Sequence, residues 1–314
     1  MRMKKIVVIG SLNMDLVANT KHMPKIGETI IGLDFKQIHG GKGANQAVAI
    51  ARLGGNVSMI GKVGNDNFGE NLLKALTEDK VETNHIMKEN VSSTGIALIT
   101  VDEKANNTII VIPGANYKVT QEEIHEKLEL IGEVDVLVTQ LEIPIDVVKY
   151  SLRRAKDKGV FTILNPAPAQ LLDDEIISSV DLLIPNETEL QILSGIEIQS
   201  EEELLEACSK LIKKGVKELI VTLGDKGSIY FTENEYKKFT AYKANAVDTT
   251  AAGDSFVAAI AVGLTNNFKI EKAIDFASKV GALTVSKHGA QSSLPFLQEV
   301  MNFEEDYNEK RYID

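Results

Sequence analysis

Cysteine is almost absent from this sequence. Cys208 is the only one in 314 residues, so no intrachain disulfide can form, and a reducing cytoplasm fits. It lies in LLEACSKLI, in phase with Leu204, Leu205, Leu211 and Ile212, which reads as the buried stripe of a helix rather than a nucleophile. Histidine is also scarce: the five are scattered, with no pair at metal-ligand spacing, so no zinc site is expected. Positive charge is in deficit. A net charge of -11 argues against a nucleic-acid partner, although backbone amides in an acidic protein still bind small anions. No stretch approaches the roughly 20 apolar residues that a membrane-spanning helix needs. The opening MRMKKIVVIGSLNMD is basic and then apolar, but Asn13 and Asp15 cut the run early, so it reads as a buried first strand and not a signal peptide. Two nucleotide-binding signatures are missing as well. There is no GxxxxGK[ST], and no GxGxxG follows the first strand, which argues against a P-loop enzyme or a dinucleotide-binding dehydrogenase.

What is present is the composition of an ordinary globular protein, 44% hydrophobic and 25% charged. Short Val- and Ile-rich runs (KIVVIG, VSMIG, VDVLVTQ, FTILN, DLLIPN, ELIVTLG) alternate with helix-period segments. Among the latter are ANQAVAIARLGG, closed by Gly54 and Gly55, and VVKYSLRRAKDKG, closed by Gly159. Continuously apolar strands imply burial on both faces, so the expected fold is α/β: a three-layer sandwich whose mainly parallel central sheet is flanked by helices. Two segments break the rhythm, residues 16–41 and 93–116, which lack a long helix and alternate apolar with polar residues; the second predicts a hairpin turning at Lys104 to Asn107. They suggest a small off-sheet β-sheet, about 16–38 and 94–112, acting as a lid or an oligomer surface. No linker, repeat or low-complexity tract divides the chain, so residues 1–314 read as a single domain with a solvated end at FEEDYNEKRYID.

Ligands of open parallel sheets bind beyond the carboxyl ends of the strands. Polar, acidic and glycine residues recur there: Asn13 and Asp15, Glu142, Asn186 and Glu189, and the GDKG run Gly224 to Gly227. Any one of them alone reads as a turn or a helix cap. The segment DTTAAGDSFVAAIAVGL, residues 248–264, is more specific: Ala251, Ala252 and Gly253 sit where a loop enters an apolar helix. Free N–H groups at such a start favour an anion, and small side chains let a phosphate approach. Asp254 is then either a carboxylate favoured by the helix dipole or a base beside a transferring phosphate; the surrounding anion-binding geometry favours the base. In GGKGANQAVAIARLG, residues 40–54, Lys42 and Asn45 offer donors for hydroxyl groups, although a glycine turn starting a helix is the default for such a segment alone.

These two segments, with NMD at 13–15, NETE at 186–189 and HGAQSSLP at 288–295, resemble the phosphofructokinase-B family of carbohydrate and purine kinases over nearly the whole chain. The resemblance implies ATP-dependent transfer of phosphate to the primary hydroxyl of a small sugar, D-ribose being the expected one. Fructose, a deoxyribose or a nucleoside is the alternative acceptor, and a non-catalytic sugar-binding regulator the alternative class. Position by position it implies that Asn13, Asp15, Gly41, Lys42, Asn45 and Glu142 hold the sugar, with Asp254 as general base. Ala251, Ala252, Gly253 and Asp254 match an anion hole, and Asn186 and Glu189 match positions that order magnesium and its waters near ATP. Thr222, Gly224, Asp225, Lys226 and Gly227 match a nucleotide-binding edge, with adenine near Ser278. Asp248, Thr250, Thr284, Lys287, Gly289 and Ser293 match a potassium loop, several through carbonyls. The lid matches one that also pairs two subunits, so a homodimer is expected. The chain departs from many members at Ala251, where they carry glycine, and at Ser278, where adenine-contacting residues can be larger.

Overall fold

The computed structural model describes residues 2–104 and 106–303. The expected solvated end from residue 304 onward lies outside the described residues, as does residue 105 of the expected turn. The chain opens with β1 (Lys5–Ile9), β2 (Asn13–Thr20), β3 (Asp34–Gly40), α1 (Lys42–Arg52), β4 (Asn56–Gly64) and α2 (Asn67–Glu78). Next come β5 (Ile86–Glu89), β6 (Gly95–Asp102), β7 (Asn107–Ile112), α3 (Gln121–Ile131), β8 (Val136–Thr139) and α4 (Ile145–Asp157). Then follow β9 (Phe161–Leu164), α5 (Asp174–Ser178), β10 (Leu182–Leu183), α6 (Glu187–Ser194), α7 (Glu201–Lys213) and β11 (Glu218–Thr222). Strands β12 (Ser228–Phe231) and β13 (Tyr236–Phe239) and helices α8 (Ala252–Thr265) and α9 (Ile270–Val285) complete it.

Nine strands form the main sheet in the order β13-β12-β11-β10-β9-β8-β1-β4-β5. All pairs from β5 to β11 are parallel, and β12 and β13 add an antiparallel edge that the apolar runs did not announce. The continuous apolar runs have the expected cause. In β1, Ile6 and Val8 enter a core with α1, α2, α8 and α9, while Val7 and Ile9 enter a second core with α3, α4 and α7. The molecule is therefore the three-layer α/β sandwich expected. Cys208 is fully buried in α7, and burial pushes its thiol up to about 12, which keeps it inert. Helix α8 is apolar all round, with Val257, Ala258, Ala259, Ile260 and Ala261 buried, as befits a helix wedged between α1 and α9. Among the described residues no helix is long and apolar enough to cross a membrane.

The second sheet, ordered β3-β2-β6-β7, stands apart as a four-stranded lid. Its first segment reaches further than expected, from Asn13 to Gly40, and its second, from Gly95 to Ile112, falls within the expected bounds. Asn13 and Asp15 are consequently residues of a lid strand rather than of a loop after β1. The cause is immediate: Asn13 pairs with Gly40 on one side and Gly95 on the other, so β2 is laddered from its first residue.

Candidate active site

The carboxyl edge of the main sheet and the start of β2 converge on one polar cluster. Asn116 fixes how Asn13 is presented. Its Nδ2 donates to Asn13 Oδ1 at 2.8 Å and to the Leu12 carbonyl at 3.0 Å, while its Oδ1 accepts the Leu12 N–H at 2.9 Å. Asn13 therefore turns its own NH₂ outward as a donor. Asp15 lies two residues along the same face of β2. Burial first, then the charges of Glu142 and Asp254 against the opposing pull of Lys42, push its carboxyl up to about 7. Glu142 is anchored through one oxygen, which accepts the Ser11 hydroxyl and the Lys42 N–H, the latter at 3.0 Å. Gly41 turns the chain into α1 at φ 88, and a Cβ there would stand 2.7 Å from the Asn13 nitrogen. Burial works against the Lys42 ammonium, but the carboxylates of Asp254, Glu142, Glu189 and Asp15 outweigh it and raise it above the ordinary lysine value.

Asp254 sits in the first turn of α8, only 6% exposed. Its Oδ2 accepts Asn45 Nδ2 at 2.9 Å and its Oδ1 accepts Gln46 Nε2 at 3.1 Å. Asn45, expected as a donor to a sugar, thus spends a donor on Asp254, and its buried Oδ1 has no hydrogen-bond partner among the described residues and is left as an acceptor. Ala251 takes the left-handed conformation at φ 60, which a methyl group permits at some cost. Within the expected anion hole the Ala252 N–H turns inward to the Thr249 carbonyl, whereas those of Ala251, Gly253 and Asp254 have no backbone acceptor among the described residues.

Along the sheet edge, Asn186 and Glu189 form a capping box at the start of α6: Asn186 Oδ1 accepts the Glu189 N–H and Glu189 Oε2 accepts the Asn186 N–H, each at 2.8 Å. The cap leaves the second Glu189 oxygen without a part in it. Burial, opposed by the Asn186 hydrogen bond and by Lys42, raises that carboxyl, and a cation would relieve it. Among the described residues no three His, Cys, Asp or Glu side chains gather to ligate a metal directly. The free Glu189 oxygen is a donor of the kind that holds magnesium through its waters. Thr222 ends β11, and Gly224 to Gly227 form the exposed turn after it, with Asp225 and Lys226 at its tip. Ser278 lies inside α9, where its hydroxyl donates to the Ile274 carbonyl at 2.8 Å.

Asp248 ties two distant loops. Its Oδ1 accepts the Thr250 N–H at 2.9 Å and hydroxyl at 2.6 Å, and its Oδ2 accepts the Gly289 N–H at 2.9 Å. Burial raises this carboxyl, but those hydrogen bonds outweigh it and hold it below its ordinary value. The Thr284 hydroxyl is spent on the Val280 carbonyl and Ser255, and that of Ser293 on the Ala290 carbonyl. The Lys287 ammonium pairs with Glu299 at 2.5 Å. Lys287 and Gly289 can offer an ion only carbonyl oxygen, whereas the Thr284 and Ser293 hydroxyls, their protons donated elsewhere, keep lone pairs for one. Sequence reading missed Ser11, Gln46, Asn116, Gln140 and Asn165, all buried and all hydrogen-bonded into this cluster or its supports. Gln46 alone carried a signal, since it lies beside Asn45 in the glycine-rich segment.

A polar, carboxylate-rich site at the sheet edge of this sandwich, roofed by a β lid, belongs to a known class: residues 3–297 match the pfkB family carbohydrate kinase model, and the chain belongs to that family. It is similar to the ribokinase of Staphylococcus aureus, 40% identical over 94% of this chain and 98% of that one. It is also similar to the deoxyribokinase of Salmonella typhi, 37% identical over 94% and 96%. Its structure resembles that of an Arabidopsis thaliana ribokinase complexed with ribose and ATP, with TM-score 0.90 and 32% identity over 96% and 99%.

Proposed function

We propose that this carbohydrate kinase transfers the γ-phosphate of ATP to the primary 5-hydroxyl of D-ribose, giving D-ribose 5-phosphate and ADP. The observation that carries the reading is the Asp254 carboxylate, held by Asn45 and Gln46 within the same cluster as Asp15, Glu142 and Lys42. Asn13 and the unpartnered Asn45 oxygen complement sugar hydroxyls as donor and acceptor. Asp254 takes the proton of the attacking hydroxyl. The Gly253 and Asp254 amides at the start of α8 face the charge that develops on the transferring group. Asn186 and Glu189 would hold magnesium through its waters, which when bound neutralises phosphate charge. ATP runs along the edge from Thr222 to Gly227 toward α9.

Two further elements belong to the reading. The Asp248 and Gly289 loops take up potassium through carbonyl oxygens, fixing the turn that carries residues 251–254, and the lids of two chains pair as a homodimer. Deoxyribose is the second reading, supported by the similarity to a deoxyribokinase at nearly the same identity as to a ribokinase. The test is an ADP-release assay over ribose, 2-deoxyribose, fructose and nucleosides, run in potassium and in sodium at matched ionic strength. Ribose should exceed its 2-deoxy analogue in kcat/KM by tenfold or more, since a site built around a hydroxyl penalises its loss. Equal values would remove ribose as the preferred acceptor, and no turnover with any acceptor would leave a binding protein. Identical rates in both cations would remove the potassium site.

A further inference from the structure

Three residues stand immediately beyond three adjacent parallel strands: Gln140 after β8, Asn165 after β9 and Ile184 after β10. They form one chain of hydrogen bonds that ends on Asp254. Asn165 Nδ2 donates to the Ile184 carbonyl at 3.1 Å, so Asn165 must turn its Oδ1 the other way, where it accepts Gln46 Nε2 at 3.1 Å. Gln140 Nε2 donates to Gln46 Oε1 at 2.6 Å. Gln46 is thereby oriented from both ends, and the second proton of its amide is delivered to Asp254 Oδ1.

Side-chain amides can usually flip, because their oxygen and nitrogen have the same shape. A backbone carbonyl cannot. Inverting Gln46 would set its oxygen against both the Asp254 carboxylate and Asn165 Oδ1, and its NH₂ against the Gln140 donor. The chain is also dry: Gln46 and Gln140 are 0% exposed and Asn165 is 7% exposed. Gly10, the first residue after β1, makes room for it, since a Cβ there would stand 2.0 Å from Gln140 Oε1.

We propose that Gln46, polarised by Gln140, Asn165 and the Ile184 carbonyl, is a positioning residue that holds Asp254 ionised and aimed at the acceptor hydroxyl. The inference rests on the reading of Asp254 as general base. Other charged groups also face Asp254, namely Lys42 from α1, Asp15 from β2 and Glu189 from α6, and none belongs to the amide chain. A buried hydrogen bond to a charged group is worth more than a neutral one, so its loss is measurable.

The experiment measures kcat and KM against pH with D-ribose and MgATP for the wild type, Gln46→Met, Gln46→Glu, Asn165→Leu and Asp254→Asn. Gln46→Met removes the donor at nearly constant volume. Its kcat should fall about tenfold to a hundredfold while KM for ribose changes less than about threefold. The acid limb of kcat should rise by about one pH unit, because a carboxylate that loses a donor is protonated more easily. Gln46→Glu sets a second carboxyl beside the first and should raise the limb further. Asn165→Leu, which never touches Asp254, should move the limb in the same direction by less. A loss of kcat independent of pH in the Gln46 variants, or an unmoved limb in Asn165→Leu, overturns the chain while leaving the base reading intact. An Asp254→Asn variant within tenfold of wild-type kcat overturns the base reading itself. If the Gln46 variants do not fold, the Asn165→Leu limb decides.

Discussion

At Asp15 the fold places a carboxyl group where little water reaches and where Glu142 and Asp254 stand close, so its value rises from 3.8 to about 7. A group raised in the folded state contributes stability that is complete below its unfolded value and is lost as pH climbs through the folded one. For Asp15 the window runs from about pH 4 to pH 7. Asp15→Asn removes the penalty, so without ligand it should melt at least ~2 °C above the wild type at pH 8, with the gap narrowing toward pH 5. An equal gap at both pH values would show that the gain is not electrostatic. The same substitution should cost ribose kcat/KM about tenfold or more at pH 8, because the acceptor for a sugar hydroxyl becomes an amide.

Arg52 shows the same economy between elements. From the end of α1 it forks onto Asp79 at 2.7 and 2.9 Å and donates to the carbonyls of Gln291 at 2.6 Å and Leu294 at 3.0 Å. Its guanidinium also lies 4.9 Å from the centre of the Phe296 ring. One side chain thus joins α1, the end of α2 and the segment following Gly289, which belongs to the proposed potassium loop. Arg52→Ala leaves a mostly buried Asp79 unpaired and should cost about 3–5 kcal/mol, read as a lower denaturant midpoint at unchanged slope. It should also weaken activation by potassium. Arg52→Lys, which keeps the charge but not the fork, should fall between. A midpoint unchanged in Arg52→Ala would remove this link. None of it was legible in the sequence, where Arg52 and Asp79 are merely an end-of-helix cation and an acid in different segments. Local patterns were legible: the doubly buried strands, the glycine turn before α1 and the small-residue start of α8 all advertise themselves within a few residues. Gln46, Gln140 and Asn165 do not, because their meaning comes from strands that meet only in the folded sheet. The antiparallel edge of β12 and β13 escaped notice because Ser228 to Phe231 is short and follows a turn that reads as a loop.

For the whole molecule the lid is the open question of surface chemistry. It is one layer thick, and β7 exposes Ile110, 62% accessible, and Val111, 52% accessible, on opposite faces. A lone sheet with apolar residues on both sides is stabilised by a second layer. The wild type should therefore sediment as a dimer at micromolar concentration, and the double variant Ile110→Glu, Val111→Glu should sediment as a monomer. A monomeric wild type would confine the lid to covering the site.

The connection between β1 and β2 bears on the timing of the proposed reaction. Only Gly10, Ser11 and Leu12 separate the two strands, and Asn13 and Asp15, proposed above to hold the sugar, are among the first rungs of the lid itself. On the proposed reading, grasping the acceptor and lowering the roof would be a single stroke, and closure is expected to follow the sugar rather than the nucleotide. An acceptor that Asp15 cannot hold leaves the roof up. Such an acceptor should be penalised in turnover as well as in apparent affinity. Water, the smallest acceptor of all, has no ring for the strand to follow, so ATP should be spent very slowly when no sugar is present. Comparing ADP release without sugar, with 2-deoxyribose and with ribose at saturating ATP would trace that stroke as an ascending series.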